Sequence, residues 1–594
     1  MTQLGRSTGC PSLDGVRVRT HRGRAALAVF GALALAGCAG LPGLHRAAAP
    51  TAAPAAATPP PRVLPPAPLT GPLLYHLLAG DIAAQRGRAD VAATQYLDAA
   101  METKDPRVAE TAARIAGFAH RDAVGLKATE RWLALEPDNL TAREVAAVLA
   151  LRAGQEQEAL AQLDRLVAAP GAAGQLAFAR AVGALAGEPD KAPAIRVLKA
   201  LVARHPDNAQ AHLALGRVAF LARQLDLAGA EADRALVLRK DWPQAALLRA
   251  EVRIRQGDTD AAFKDLDHTV DVHPDDRGLR LAYARLLLQA GRLPAATRQF
   301  RVLLRQHPDD GDVLYALGLL SVDAGHLDDA HRYMERLLKL GQRANEAHYY
   351  LGRIAESQKD YQAAVTEYAQ VDHGELRFEA QIRIAQILAL GGDVPAARQR
   401  LDDLRQQYPT AALRVYLAEA QILREVKRYQ DAMAVYNHAL GEYPDNSDLL
   451  YGRALIAEHL GQLGRAERDL TLIIERDPAN AQALNALGYT LADRTTRYQE
   501  ALGYIQKALQ LSPDDPAILD SMGWVQYRLK HYPQALSYLR RALNASGDAE
   551  IAAHLGEVLW VSGDHAAAGK VWKGALKDHP DNEALQNVMK RFAP

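Results

Sequence analysis

AQALNALGYTLADRTTRYQEALGYIQKALQLSPDD, residues 481–515, is the stretch that decides the fold. Leu484, Leu487, Gly488 and Leu491 recur at helical spacing in its first half. Ala501, Ile505 and Ala508 do so in the second, and Pro513 closes the segment. The pattern reads as helix, turn, helix, stop. Its connecting turn, Thr495 to Tyr498, is one residue longer than the spacing elsewhere in the chain.

The same unit can be laid over nearly everything after residue 72. Closing turns fall at Pro206, Lys240, Pro274, Pro308, Gln342, Glu375, Pro409, Pro444, Pro478, Pro513, Gly547 and Pro580, each 33 to 35 residues after the last. A period near 34 belongs to the tetratricopeptide repeat, and the chain is identified as a member of that family. The fold expected is therefore all-α: a right-handed superhelical solenoid of about 15 helical hairpins with a C-terminal capping helix. Small residues recur where the two helices of a hairpin must approach, Gly80, Gly216, Gly318, Gly352, Gly488, Gly523 and Gly556 in the first helix. The second helix answers with Ala92, Ala228, Ala262, Ala296, Ala330, Ala364, Ala397, Ala432, Ala466, Ala501, Ala535 and Ala568. Four residues on comes a larger side chain, among them Tyr96, Phe300, Tyr368, Tyr436, Ile505, Leu539 and Trp572, expected to wedge between repeats.

A solenoid of this kind is one long object even at 594 residues, because each repeat buries its apolar face on its neighbours. Formal net charge is zero, so no global basic field argues for nucleic acid. The two cysteines, Cys10 and Cys38, both precede the repeats, which excludes a disulfide framework or a cysteine zinc site in the body.

Four segments are expected: an export signal over 1–37, a lipidated tether over 38–72, the solenoid over 73–582, and a capping helix with the C-terminus over 583–594. Arg17, Arg19, Arg22 and Arg24 precede an apolar run from Ala25 to Ala36, about a dozen residues and too short to span a hydrocarbon core of about 30 Å. The run ends in Leu35-Ala36-Gly37-Cys38, which resembles the bacterial lipobox. That resemblance implies that Cys38 is the lipidated first residue of the mature protein, with Ala39 after it implying the outer membrane, facing the periplasm. Residues 1–16 are a long lead-in, as if the true start lay downstream. Without the first 37 residues, 65 basic groups face 69 acidic ones. From His45 to Pro72, 18 of 28 residues are Ala or Pro. Such a segment stays extended and reaches on the order of 80 Å at ~3.1 Å per residue.

Within the array, His205, His273, His307 and His579 precede closing prolines, where they suit the negative end of the second helix. Asp207, Asp275, Asp309, Asp445 and Asp581 follow the prolines and suit the start of the next helix. The remaining histidines are scattered without metal spacing and read as solvated or capping residues. No phosphate loop, HExxH helix or GxSxG elbow occurs, and no stretch outside the repeats can hold a catalytic domain. No catalytic residue, metal or cofactor is expected, and the chain is read as no enzyme.

Chemistry is then a matter of surface. In the tetratricopeptide family the first helix of each hairpin lines the concave groove, and its inward positions fall here on Tyr315, Tyr349, Tyr451, Asn485, Tyr489, Trp524, Tyr527, Arg528 and Trp560. Tyrosine and tryptophan offer contact area at low entropy cost, and asparagine bonds the backbone of an extended peptide. The lysines of a two-carboxylate clamp are missing beside Asn485.

With its lipobox, tether and repeats, the chain resembles proteobacterial outer-membrane tetratricopeptide lipoproteins. The match is best over LNALGYTLADRTTRYQEALGYIQKAL and DSMGWVQYRLKHYPQALSYLRRAL, within residues 484–543. Within that group it is similar to the binding partners of periplasmic carboxyl-terminal processing proteases. The resemblance implies an adaptor that binds the protease and presents its peptidoglycan hydrolase substrates. A scaffold for envelope assembly, in exopolysaccharide export or outer-membrane protein insertion, is the alternative reading.

Overall fold

The computed structural model describes residues 68–592. The export signal, Cys38 and the tether up to residue 67 lie outside them. The expected tether boundary moves slightly: the first helix, Gly71–Gln85, starts before Pro72, with the Thr70 hydroxyl accepting from the Leu73 amide.

All regular structure among the described residues is helical, 31 α-helices and a short 3-10 turn at Pro409–Ala411. They follow one another as 15 consecutive pairs and a single closing helix, Glu583–Phe592; 14 of the pairs are closely packed hairpins, whereas Gly171–Gly187 and Ala192–Arg204 pack chiefly on the hairpins before and after them. The described residues divide into two compact units, with the boundary between Gln342 and Arg343. Eight helix pairs belong to the first; seven and the closing helix belong to the second.

Why two helices pack so closely within a hairpin is visible at Gly488. A β-carbon built there would lie 2.5 Å from Ile505 Cγ1 and 3.0 Å from the Ala501 carbonyl oxygen, closer than real β-carbons come. Ala501 itself is fully buried, as are the other small residues of its series, none more than 1% exposed. The larger side chains were expected between repeats; most of them instead fill the notch inside their own hairpin. Tyr96 lies over Gly80, Tyr368 over Gly352, Leu539 over Gly523 and Trp572 over Gly556. The reason is steric, since only glycine leaves room for a ring or branch at the crossing. Tyr436 confirms the rule by its exception: its own first helix carries Ala420 at that register, and the ring reaches forward to Gly452 of the next hairpin.

The residue added before Tyr498 was expected to lengthen the turn; it instead lengthens the first helix, Ala481–Arg494, to 14 residues against 13 in Pro516–Arg528, and the turn keeps three residues with a different closure. Most turns from first to second helix use a residue in the left-handed region, such as Gly461 at φ 71° or Lys530 at φ 65°. The turn after Arg494 uses none. There the Thr495 hydroxyl donates to the Leu491 carbonyl at 2.6 Å and accepts from the Arg497 amide at 3.0 Å, so one added residue ends the helix through a side chain.

Capping follows the sequence with a one-residue correction. Each expected histidine is the residue that ends a second helix, its amide bonded back to the preceding turn. The first helices, however, are capped by Asn208, Asp276, Asp310, Asn446 and Asn582, one residue after the aspartates named from sequence. The proline turn takes one residue more before helical geometry starts. Several displaced aspartates serve the next hairpin: Arg234 pairs with Asp207 at 3.2 Å and Arg336 with Asp309 at 3.3 Å.

The closing helix buries Leu585 and Val588 and exposes Lys590 and Arg591, as a cap should. Replacing Gly488 by Ala should destabilise the second unit by about 1–3 kcal/mol through overpacking. In Gly488→Ala with Ile505→Ala the loss should be smaller than the sum of the singles, because the new methyl enters the space left by the isoleucine. Urea unfolding of the four proteins checks this; strict additivity would mean the two residues do not share that notch.

Candidate functional site

In the second unit, the first helices of successive hairpins touch one another more extensively than the second helices do, so this stack curves with its first helices inward. The inner face at its C-terminal end is built by Ala481–Arg494, Pro516–Arg528 and Ala549–Val561. Helical spacing of four aligns Asn485, Tyr489 and Asp493 on the first and Asp520, Trp524 and Arg528 on the second. Glu550, His554 and Glu557 come from the third.

These side chains meet. The His554 ring stacks on Trp524, centroids 4.3 Å apart, and Tyr489 lies 6.3 Å from the same ring. His554 Nδ1 is 3.0 Å from both Asp520 carboxylate oxygens, so its N–H donates to them. The Trp524 indole donates to Asp493 at 3.2 Å, and the Tyr527 hydroxyl donates to Glu557 at 3.1 Å. Arg494 joins Asp493 to Glu458 of the preceding hairpin, both at 3.1 Å. Asn485 Oδ1 is buried and accepts no hydrogen bond from the described residues.

The sequence-named residues separate by what they touch. Tyr489, Trp524 and Tyr527 come together around His554, with Trp524 only 6% exposed and serving as the floor, and Asn485 lies one helical turn from Tyr489. Arg528 turns aside, its guanidinium over the Tyr498 ring and donating to the Tyr498 hydroxyl at 2.9 Å. Trp560 stacks on His565 and Trp572 within its own hairpin. Tyr349 packs on Tyr350 and Tyr368, and Tyr451 borders the main core of the second unit. Tyr315, in the first unit, is buried.

Asp520, Glu550, Glu557 and His554 were missed. Asp520 sits 35 residues after Asn485 and 69 after Tyr451, in the same register, so the repeat itself carried the signal. The histidine reading also needs correction. His212 is buried, 2.6 Å from Glu231 and 3.0 Å from the Pro206 carbonyl, and His348 bonds Glu367 at 2.8 Å. The two pairs share a separation of 19 residues, as do Arg143 with Gln162 and Arg280 with Gln299. This is a polar clasp across the hairpin, available to any long side chain that meets a carbonyl or carboxylate acceptor there. Among the described residues no group of three or more His, Cys, Asp or Glu could hold a metal, and no helix is long and apolar enough to cross a membrane.

Burial pushes the Tyr489 hydroxyl pKa up, and Asp493, Asp520, Glu458 and Glu550 push it further. For His554, burial alone favours the neutral ring, but the charge and hydrogen bond of Asp520, with Glu557 and Glu550 behind, raise its pKa above the ordinary value. A raised pKa means the charged ring stabilises the fold. That contribution is full below about pH 6.5, the unfolded value, and is lost as pH rises through the folded pKa. In an NMR titration the His554 midpoint should lie above about 6.5 and fall in Asp520→Asn. A wild-type midpoint at or below that value would contradict the pairing.

Sequence patterns described as the tetratricopeptide repeat match residues 190–246, 315–372 and 521–583, again 253–320 and 423–488, and 379–411. A TPR repeat-containing protein of Pseudomonas aeruginosa is 44% identical over 491 residues, 82% of each chain. The human protein O-mannosyl-transferase TMTC1 is 22% identical over 28% of this chain and 19% of its own. Among solved structures, yeast Tom70 covers 87% of this chain and 95% of its own at 14% identity and TM-score 0.34. A tetratricopeptide repeat protein from Parabacteroides merdae covers 42% and 100% at 16% identity and TM-score 0.35. With the repeat patterns recurring along the chain and the Pseudomonas relative matched over most of its length, the chain belongs to the tetratricopeptide repeat family.

Proposed function

We propose that this tetratricopeptide protein is a non-enzymatic, lipid-anchored scaffold of the outer membrane that holds periplasmic proteins on the inner face of its second unit. Its partners in this reading are a carboxyl-terminal processing protease and the peptidoglycan hydrolases that the protease degrades. The observation that carries the binding role is the half-buried aromatic and carboxylate face around Tyr489 and Tyr527, presented by the first helices of three successive hairpins. Cys38 after its apolar run supports the anchor, and the resemblance over residues 484–543 supports the protease. Tethering two proteins on one scaffold turns a bimolecular encounter into a local one, which is how a scaffold without chemistry raises a degradation rate.

Affinity purification of the Cys38-anchored protein from detergent-solubilised envelopes is the test. A serine protease recovered together with a peptidoglycan hydrolase is expected. Recovery of polysaccharide-export or barrel-assembly components in their place would overturn the protease reading. Cys38→Ser should abolish labelling by palmitate and release the protein from the membrane fraction. Tyr489→Ala combined with Tyr527→Ala should reduce partner recovery severalfold while the far-UV helix signal persists; unchanged recovery would assign both tyrosines to packing.

A further inference from the structure

The inner face of the last hairpins is acidic as well as aromatic. Glu458, Asp493, Asp520, Glu550 and Glu557 come from four successive first helices, and four of them act together on one hydroxyl, that of Tyr489. The cations that answer them are few. Arg494 is spent between Glu458 and Asp493, and His554 is held by Asp520. Arg591 approaches Glu557 only at 3.8 Å from a position 69% exposed. Glu550, on the solvent side, completes the rim. One helical turn below Tyr489, Asn485 Oδ1 is an acceptor without a donor among the described residues.

These features ask for one kind of ligand. Carboxylates and an unmatched carbonyl all accept hydrogen bonds, and the ring of Tyr489 offers a negative π face beside them. A carboxylate ligand, by contrast, would meet four like charges with no lysine to receive it. We infer that the Tyr489–Asp520–Glu550 face is a receptor for a lysine or arginine side chain carried on an extended segment of a partner protein. The inference rests on the scaffold reading and adds the polarity of the contact: the partner brings the positive charge. The Trp524 indole beneath shields that charge from bulk water on one side, and the exposed Glu550, with no cation of its own among the described residues, is the carboxylate free to receive it, while Asp520 is already held by His554.

The test uses the mature full-length protein and two labelled peptides, one of alternating Lys and Ala and one of alternating Glu and Ala, followed by fluorescence anisotropy. The Lys peptide should bind saturably and more weakly as salt rises, and the Glu peptide should not bind. Asp520→Asn with Glu550→Gln should weaken the Lys peptide by about tenfold. Because Asp520 also holds His554, Glu550→Lys serves as a second variant; its side chain is exposed, and it should weaken binding with an unchanged circular dichroism spectrum. Equal binding of the two peptides, no binding of the Lys peptide, or Lys-peptide affinity unmoved by either variant overturns the proposal. Envelope partners still recovered under any of those results leave the scaffold standing without its charge preference. Failure to recover any partner with the unaltered protein removes the scaffold reading itself.

Discussion

Everything in this array depends on how near the second helix of a hairpin comes to the first. At Gly488 the distance is set by the absence of a β-carbon, and Ile505 fills the notch that the absence leaves. The buried alanine series does the same from the other side, with Ala501, Ala535 and Ala568 fully enclosed. Close approach brings large side chains into contact with backbone, where dispersion is densest. A hairpin so closed presents a fixed shape to its neighbour, so stacking can repeat without adjustment.

A second layer of order is polar and follows from the first. Once the helices are fixed, a side chain in the first turn of the first helix comes beside the residue 19 positions later on the second, and His212 with Glu231 or Arg280 with Gln299 use that proximity. Where an aspartate follows the closing proline, it comes near the end of the next second helix in several hairpins, and Arg234, Arg336 and Arg476 find it there. Exposed pairs of this kind contribute little each, about 0–1 kcal/mol. Buried ones are a different matter: Glu419, 1% exposed, is held by Arg398 at 2.9 Å and Arg405 at 2.5 Å. Losing either arginine would leave a carboxylate without water and with half its partners.

The fold was legible because the close approach leaves its mark on residue size, and a glycine or alanine recurring near 34 residues can be counted. The caps were legible to within one residue, since proline announces the turn but not the point at which helical geometry resumes. The knobs were named correctly but most were placed wrongly, Tyr436 alone among those traced reaching into the next hairpin as expected. Size alone says that Tyr368 fills a gap, and only the missing β-carbon of Gly352 says which gap. The site was half legible. Aromatic residues stand out in a chain with few of them, so Tyr489, Trp524 and Tyr527 were found. Asp520 and Glu550 look like any surface carboxylates until the curvature of the stack turns them toward one ring.

That contrast explains where this architecture can vary. Packing claims the glycine, the alanine and the knob of each hairpin, and changes there propagate to neighbours. The inner position that reads Tyr451, Asn485 and Asp520 in three successive hairpins lies away from the helix crossing, and its chemistry changes at every step. A face whose neighbouring positions differ while their spacing stays constant is a ruler with distinct marks. An extended partner reading it would meet an aromatic ring, an amide and a carboxylate in fixed order, so specificity would come from the sequence of marks and register from the repeat.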